Sequence, residues 1–258
     1  MFKVATFNTN SVRARLPIIL DWLEAEKPDV LCMQETKVED RNFPAGEFNA
    51  AGYNVIYKGQ KSYNGVAIAG VHELTELSID ISSFSRSGEA RLIAAKVKGI
   101  NIINTYIPQG RAPDTDEFAY KINWITNMRE VFDRGFSPDT HVLWTGDFNV
   151  APEPIDVHSP EKLLGHVGYH PMEHKALQYV KDWGFEDVFR RHMPDGGHYT
   201  FYDYRVPNGV KRRMGWRVDH IWATGPLAGL SRGARIDMEP RLKEKPSDHT
   251  FLIAEFEL

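Results

Sequence analysis

The sequence predicts an α/β fold in which two sheets stack as a sandwich with helices on the outside. Three observations carry this. Short apolar runs recur from one end of the chain to the other, the pattern of many brief strands. Helical stripes are few and do not alternate strictly with the strands, so the βαβ rhythm of a doubly wound open sheet is missing. The apolar runs also end repeatedly in an acid, an amide, a tyrosine or a histidine, which delivers polar groups to strand ends that can gather along one edge.

The first strand is Lys3–Phe7, and it leaves through Asn8-Thr9-Asn10. Apolar residues at Val12, Leu16, Ile19, Leu20 and Leu23 then mark one face of a helix. Pro17 has no N–H to give, so the regular helix is expected to begin only shortly before it. Lys27-Pro28-Asp29 stops the helix, Val30–Met33 is the next strand, and Gln34-Glu35 is its polar exit. Strands follow at Tyr53–Tyr57, Gly65–Ala69, Arg91–Val97 and Ile100–Ile107. The Lys98-Gly99 pair between the last two predicts a hairpin. Tyr106 and Pro108-Gln109-Gly110 form the exit of that pair.

A long helix carries Phe118, Ile122, Ile125, Met128 and Phe132 on one side and is closed by Gly135 and Pro138. His141–Trp144 reads as a buried strand running into Thr145-Gly146-Asp147-Phe148-Asn149. Gly146 is read there as a tight turn at the strand end. Asp147 and Asn149 then share one face while Phe148 points back to the core. An ordinary Asx turn would use the same residues. Prolines 152, 154 and 160 hold an irregular segment, and a helix follows near Glu173–Trp183. Tyr199–Tyr204 and Trp216–Ala223 are expected to pair as strands, and Phe251–Leu258 follows Ser247-Asp248-His249 as the last. No linker, repeat or low-complexity tract divides residues 1–258, so a single catalytic domain is expected.

Composition narrows the function. With Lys plus Arg 31 against Asp plus Glu 35, the formal charge is −4, so binding to nucleic acid requires a local basic face or bound metal ions. Cys32, the only cysteine, sits in the apolar run Val30–Met33, so it reads as a core thiol and no intramolecular disulfide can form. No apolar stretch suits a signal peptide or a membrane span. A cytoplasmic, monomeric protein is the expectation.

The exits suggest phosphate chemistry. Glu35 and Asp248 are hard oxygen donors with Asn8 and Asn10 beside them, and no CxxC or HExxH pattern offers a zinc site. An oxygen-rich set suits Mg²⁺ or Mn²⁺. His249 is the evident acid/base or charge-stabilising group, and Asp219 can orient it if their strands are neighbours. A surface histidine would look the same. The link Arg205–Arg217 holds Arg205, Lys211, Arg212, Arg213 and Arg217 and no acid, a phosphate-binding face or simply a solubilising loop. Phe201 and Trp216 beside it can wall a pocket for an extrahelical sugar or base, or belong to a sheet core.

Six stretches, in order, resemble the exonuclease III family of abasic-site endonucleases among the DNase I-like phosphodiesterases. They are Phe7–Asn10, Gln34–Lys37, Tyr106–Gly110, Gly146–Asn149, Gly215–Asp219 and Ser247–His249. The resemblance implies a four-layered sandwich with two central, mainly antiparallel mixed sheets. It implies Glu35 as the principal metal ligand, helped by Asn8, Asn10 and Asp248. Asp219 and His249 would pair at the scissile phosphate, Asp147 would orient or deprotonate water, and Asn149 and Tyr106 would contact the phosphate. Gln109 and the basic link would touch DNA, while Phe201, Trp216 and Val218 would line the abasic-sugar pocket. Tyr202 stands where the family often has tryptophan, and His220 follows Asp219.

The implied substrate is duplex DNA with abasic sites or 3′ ends, with one metal or two and the identity of the base left open. The competing readings are a phosphoinositide or phospholipid phosphodiesterase of the same superfamily, a non-catalytic nucleic-acid-binding homologue, and a structural protein with coincidental polar loops.

Overall fold

The computed structural model describes residues 1–258. Twelve strands form: β1 (Phe2–Asn8), β2 (Val30–Gln34), β3 (Asn54–Lys58), β4 (Val66–Gly70), β5 (Thr75–Glu76) and β6 (Leu92–Val97), then β7 (Ile100–Tyr106), β8 (Val142–Asp147), β9 (Phe185–Asp187), β10 (Asp219–Thr224), β11 (Ser231–Asp237) and β12 (Phe251–Phe256). The α-helices are α1 (Val12–Glu26), α2 (Ala45–Ala50), α3 (Asp116–Gly135), α4 (Pro160–Leu163), α5 (Pro171–Lys181), α6 (Val188–His192) and α7 (Gly225–Ala228).

The strands make two six-stranded sheets, ordered β11-β12-β1-β2-β4-β3 and β5-β6-β7-β8-β10-β9. Each sheet is antiparallel except for one central parallel pair, β1 with β2 and β7 with β8. Between the sheets lies a core that includes Val4, Val30, Ile68, Ile102, Leu143, Ile221 and Leu252. Outside the first sheet, α1 and α2 pack through Ile19, Trp22, Leu23 and Phe48. Outside the second, α3 and α5 pack through Trp124, Met128, Phe132, Leu177 and Val180. The result is the expected four-layered sandwich.

Parallel pairing makes the two central pairs deliver their exits to the same edge. Asn8 is opposite Gln34 in the first sheet, and Tyr106 is opposite Asp147 in the second. The sheets are pinned near that edge by Asn104, whose side chain donates to the carbonyls of Met33 and Ala67 at 2.9 Å each, and accepts from Gln34 at 2.6 Å.

Three local expectations are corrected. Helix α1 begins at Val12, well ahead of Pro17, and takes the proline in on its exposed side. Gly146 lies inside β8 and makes no turn; a Cβ there would come within 1.9 Å of the Thr105 carbonyl, so glycine permits the close approach of β7. Tyr199–Tyr204 is not a strand, since Phe201 bridges singly to Trp216 and to His249. The predicted hairpin forms at Lys98-Gly99, both with positive φ. Cys32 is buried, and no helix is long and apolar enough to cross a membrane.

Candidate active site

Five side chains converge from both sheets where the central strands end. Asn8 at the end of β1 donates its amide to Glu35 Oε1 at 2.8 Å and to Asp147 Oδ2 at 2.7 Å. Glu35 follows β2 and Asp147 ends β8, so a single amide joins carboxylates from opposite sheets. Asp219 opens β10, and its Oδ2 lies 2.8 Å from His249 Nδ1 on the loop before β12. The other imidazole nitrogen faces Asp147 Oδ2 at 3.8 Å. The conditional pairing of Asp219 with His249 is therefore realised, across the sandwich.

Asn10, Glu35, Lys37 and Asn149 all adopt positive φ, at 42°, 47°, 52° and 52°. Such backbone costs energy in non-glycine residues and persists only where surrounding bonds over-determine it. Here the Glu35 carbonyl accepts from Ser11 N at 2.8 Å and from Thr9 Oγ1 at 3.1 Å. Lys37 N bonds the Asn64 carbonyl, and Asn149 N bonds Asp147 Oδ1 at 2.8 Å.

Burial and proximity set the protonation. Burial, together with Asp219 and Glu35, pushes the Asp147 carboxyl well above its ordinary range. Burial opposes the His249 cation, but Asp219 and Asp147 outweigh it and raise the imidazole. Burial also opposes the Glu35 carboxylate, and Lys37, Asn8 and His249 together overcome it and keep that group low. Burial and the nearby Glu35 and Asp147 raise Tyr106 and hold it as a phenol. The site thus holds a readily protonated carboxylate beside a stable imidazolium.

The donor set suits a hard cation. Carboxylate oxygens of Glu35 and Asp147 lie within 4.8 Å of each other, with a His249 ring nitrogen within the same distance of both. Lys37 places its ammonium 2.7 Å from Glu35 Oε2 and 2.6 Å from Asn10 Oδ1, so positive charge is already favoured at that point. Asp219 Oδ1 is buried with no partner. Asp248 joins the group through Asn10, whose amide donates to it at 2.9 Å. This chemistry matches Mg²⁺ or Mn²⁺. Asn8 donates its N–H groups to the two carboxylates, and its oxygen accepts from Asn10 N at 2.9 Å.

Around this centre the other expected residues separate. Asn149 donates to the Ile107 carbonyl at 3.0 Å beside Tyr106, and Gln109 is exposed on the adjoining loop. Phe201 pairs with Trp216 through backbone bonds, and its ring lies 4.9 Å from the His249 ring. Val218 lies two residues beyond Trp216 and is buried. Tyr202 packs against Tyr199 and Gly215.

The basic link is a compact series of turns on which Arg205, Lys211, Arg212 and Arg213 are exposed. Arg205 is engaged by Asp203 at 2.6 Å, and Arg213 donates to the Gly197 carbonyl. Arg217 does not belong with them. It is fully buried, bonding Asp156 through two nitrogens at 2.7 and 3.0 Å and Asp187 at 2.8 Å, so it cannot reach a phosphate.

Some residues of the site escape a reading of local pattern. Lys37 is within a recognised stretch, two positions after Glu35, and its cationic role required only asking what balances that carboxylate. Asp156 and Asp187 gave no local sign, because the partner that explains them is 61 and 30 residues away.

Residues 5–249 match the endonuclease/exonuclease/phosphatase family. Exodeoxyribonuclease III of Haemophilus influenzae is 30% identical, with 98% of this chain and 99% of that protein aligned. Among solved structures, an AP endonuclease from Archaeoglobus fulgidus superposes with a TM-score of 0.96 at 47% identity, covering 100% of both chains. A 3′ phosphatase from Neisseria, bound to a product DNA hairpin, superposes at 0.94 with 34% identity and the same full coverage.

Proposed function

The chain belongs to the endonuclease/exonuclease/phosphatase family, in its exonuclease III branch of AP endonucleases, and we propose that it cuts duplex DNA 5′ to abasic sites. It is a DNA phosphodiesterase of that family. Cleavage would leave a 3′-hydroxyl and a 5′-deoxyribose phosphate and serve base excision repair. The observation that carries the reading is the union of Glu35, Asp147 and His249 within one cluster, with the Phe201 ring packed against His249. A phosphate-cleaving centre set against an aromatic ring suits a sugar without its base. A missing base removes much of the stacking cost of extrusion, which gives a physical reason for selectivity. We take the protein to act as a monomer, a single catalytic domain in the cytoplasm.

In the mechanism, Gln109, Lys211 and Arg212 hold the DNA backbone while Phe201, Trp216 and Val218 receive the bare sugar. Asn149 and the Tyr106 phenol orient the phosphate. Asp147, raised toward neutrality by its surroundings, aligns the water and takes its proton. Asp219 keeps His249 cationic, and the imidazolium stabilises the charge that develops on the phosphoryl oxygens. Glu35, with Asn10 and Asp248, would hold Mg²⁺ or Mn²⁺, which supplies Lewis-acid neutralisation of the phosphate. Asn8 keeps Glu35 and Asp147 at a fixed separation.

The test is an end-labelled duplex with one stable abasic-site analogue, run with Mg²⁺ or chelator beside an undamaged duplex and the H249A variant. Cutting at the lesion that needs Mg²⁺ and is lost in H249A is the expected result. A second reading, 3′-end trimming or dephosphorylation as the main task, is favoured by the likeness to the Neisseria 3′ phosphatase. Shortening from the 3′ end without incision at the lesion would select it. No cleavage of either DNA by folded, Mg²⁺-supplied protein would overturn both.

A further inference from the structure

Behind the loops after β7 and β8 lies an ion pair that the catalytic scheme does not use. Lys121 of α3 and Glu173 of α5 are both entirely buried, with Nζ 2.5 Å from Oε1. The ammonium has two further acceptors, the Asn149 carbonyl at 2.7 Å and the Gln109 carbonyl at 3.2 Å. Its three N–H bonds are thus matched by three oxygens, two of them main-chain oxygens of residues placed at the phosphate. Glu173 is equally committed: it accepts from Gly168 N at 2.8 Å and from His170 N at 3.1 Å. Gly168 in turn lies against the Trp216 ring, where an added Cβ would meet the indole at 3.3 Å.

Stability alone does not account for such a pair. Burying two charges costs several kcal/mol per ion, and apolar residues of similar volume are often as stabilising or more so. What the pair does accomplish is geometric. The loops after β7 and β8 leave neighbouring parallel strands and share no backbone bond beyond Ile107 N to the Asp147 carbonyl. Lys121 ties them together one step further out. Gly110, at φ +89°, lets the first loop lie on the lysine stem, since a Cβ there would come within 2.9 Å of Lys121 Cδ. Asn149 is held in left-handed backbone, so the direction of its side chain depends on where its carbonyl is anchored.

We propose that Lys121 and Glu173 are positioning residues that set the spacing of Asn149, Gln109 and Trp216 around the DNA phosphate and the extruded sugar. The inference rests on the functional reading above. Neither side chain touches substrate. The pair acts through the backbone of Asn149 and Gln109 and through the Gly168 turn beneath Trp216.

The test uses Lys121→Met/Glu173→Gln. This double variant leaves no lone buried charge and retains an acceptor for Gly168 N and His170 N, but removes the lysine bonds to both carbonyls. Single-turnover and steady-state cleavage of the abasic duplex are measured beside thermal unfolding. The expected result is a kcat lower by about 10–100-fold with KM little changed and a folded protein. In the N149A background the same pair of substitutions should cost less than in wild type, because part of the effect runs through Asn149. A folded double variant with wild-type kcat, or one whose loss is undiminished in N149A, overturns the proposal. Where the double variant does not fold, Lys121→Arg carries the comparison: it keeps the charge opposite Glu173 but cannot place one ammonium among three acceptors. Wild-type protein that does not cut the abasic duplex overturns the functional reading and this inference with it; active wild type beside an equally active variant overturns the positioning alone.

Discussion

Asp219, at the start of β10, and His249, on the loop before β12 of the other sheet, are 30 residues apart in sequence and meet at 2.8 Å between Oδ2 and Nδ1. That hydrogen bond fixes which imidazole nitrogen faces the cluster and holds the ring charged. The pair should therefore behave as one unit. Asp219→Asn is expected to lower kcat by about 10²–10³-fold, and H249A by a similar factor. The double variant should be about as slow as the slower single variant. A double-mutant cycle under single-turnover conditions checks this; fully additive losses would separate the two roles.

Glu35 is the carboxylate most plainly prepared for a cation, since Lys37 already sits against its Oε2. Mg²⁺ should raise the thermal midpoint of the wild-type protein, by an amount that corresponds to about 2.7 kcal/mol when the ion is at a hundred times its Kd. E35A is expected to lose that shift together with Mg²⁺-dependent cleavage. Lys37→Met should move the Mg²⁺ midpoint to lower concentration, because an ammonium no longer competes for Glu35 and Asn10. Thermal unfolding across a Mg²⁺ series reads both effects.

Lys211 and Arg212 are two of the exposed cations of the basic link, and the salt dependence of DNA binding should report them. K211A and R212A, each leaving one phosphate without its cation, are expected to reduce the slope of log K against log salt by about 0.9 apiece. Cleavage of bound DNA should continue at a near-normal rate. Binding titrations from low to moderate salt decide it, and an unchanged slope in both variants would place the DNA elsewhere.

What the sequence disclosed follows from how far apart the interacting residues are. The strand exits were legible because an apolar run ending in Asn8, Glu35, Tyr106 or Asp147 is a local pattern, and parallel pairing then aligned those ends. The aromatic run Tyr199–Tyr204 misled, because its backbone bonds go to different segments, Phe201 to Trp216 and Tyr202 to Asp248. Strand β11, Ser231–Asp237, passed unseen since an edge strand with two arginines and a glycine carries no apolar rhythm. Lys121 was invisible for another reason. Nothing in a helical sequence distinguishes a solvated lysine from one whose partner, Glu173, arrives on a second helix.

Arg217 is the sharpest case, and it yields a prediction about acid. On the link it looks like Lys211, but it is clamped by Asp156 and Asp187, and its Nη1 lies 3.1 Å from His220 Nδ1. His220 Nε2 in turn lies 2.8 Å from the Val150 carbonyl, so the ring is held neutral with its proton on Nε2. Burial, then Arg217, pushes His220 down to about 4. The unfolded chain takes up that proton near pH 6.5 and the folded protein does not, so stability should fall as pH drops from about 6.5 to about 4. Burial opposes the Asp156 and Asp187 carboxylates, but Arg217, joined at Asp156 by Arg190, outweighs it and depresses both. Their contribution is present above the ordinary carboxylate range and is lost as pH falls through the lower folded values. Arg217→Met leaves Asp187 without its guanidinium and Asp156 with Arg190 alone, so it should destabilise the protein by about 3–5 kcal/mol at neutral pH. That deficit should narrow as pH falls, because without the guanidinium Asp156 and Asp187 take up protons at higher pH in the folded protein. The salt slope of DNA binding should stay at the wild-type value in any Arg217→Lys protein that remains folded. Denaturant unfolding across a pH series, followed by circular dichroism with binding measured in parallel, tests the assignment; a lower salt slope with unaltered stability would return Arg217 to the DNA surface.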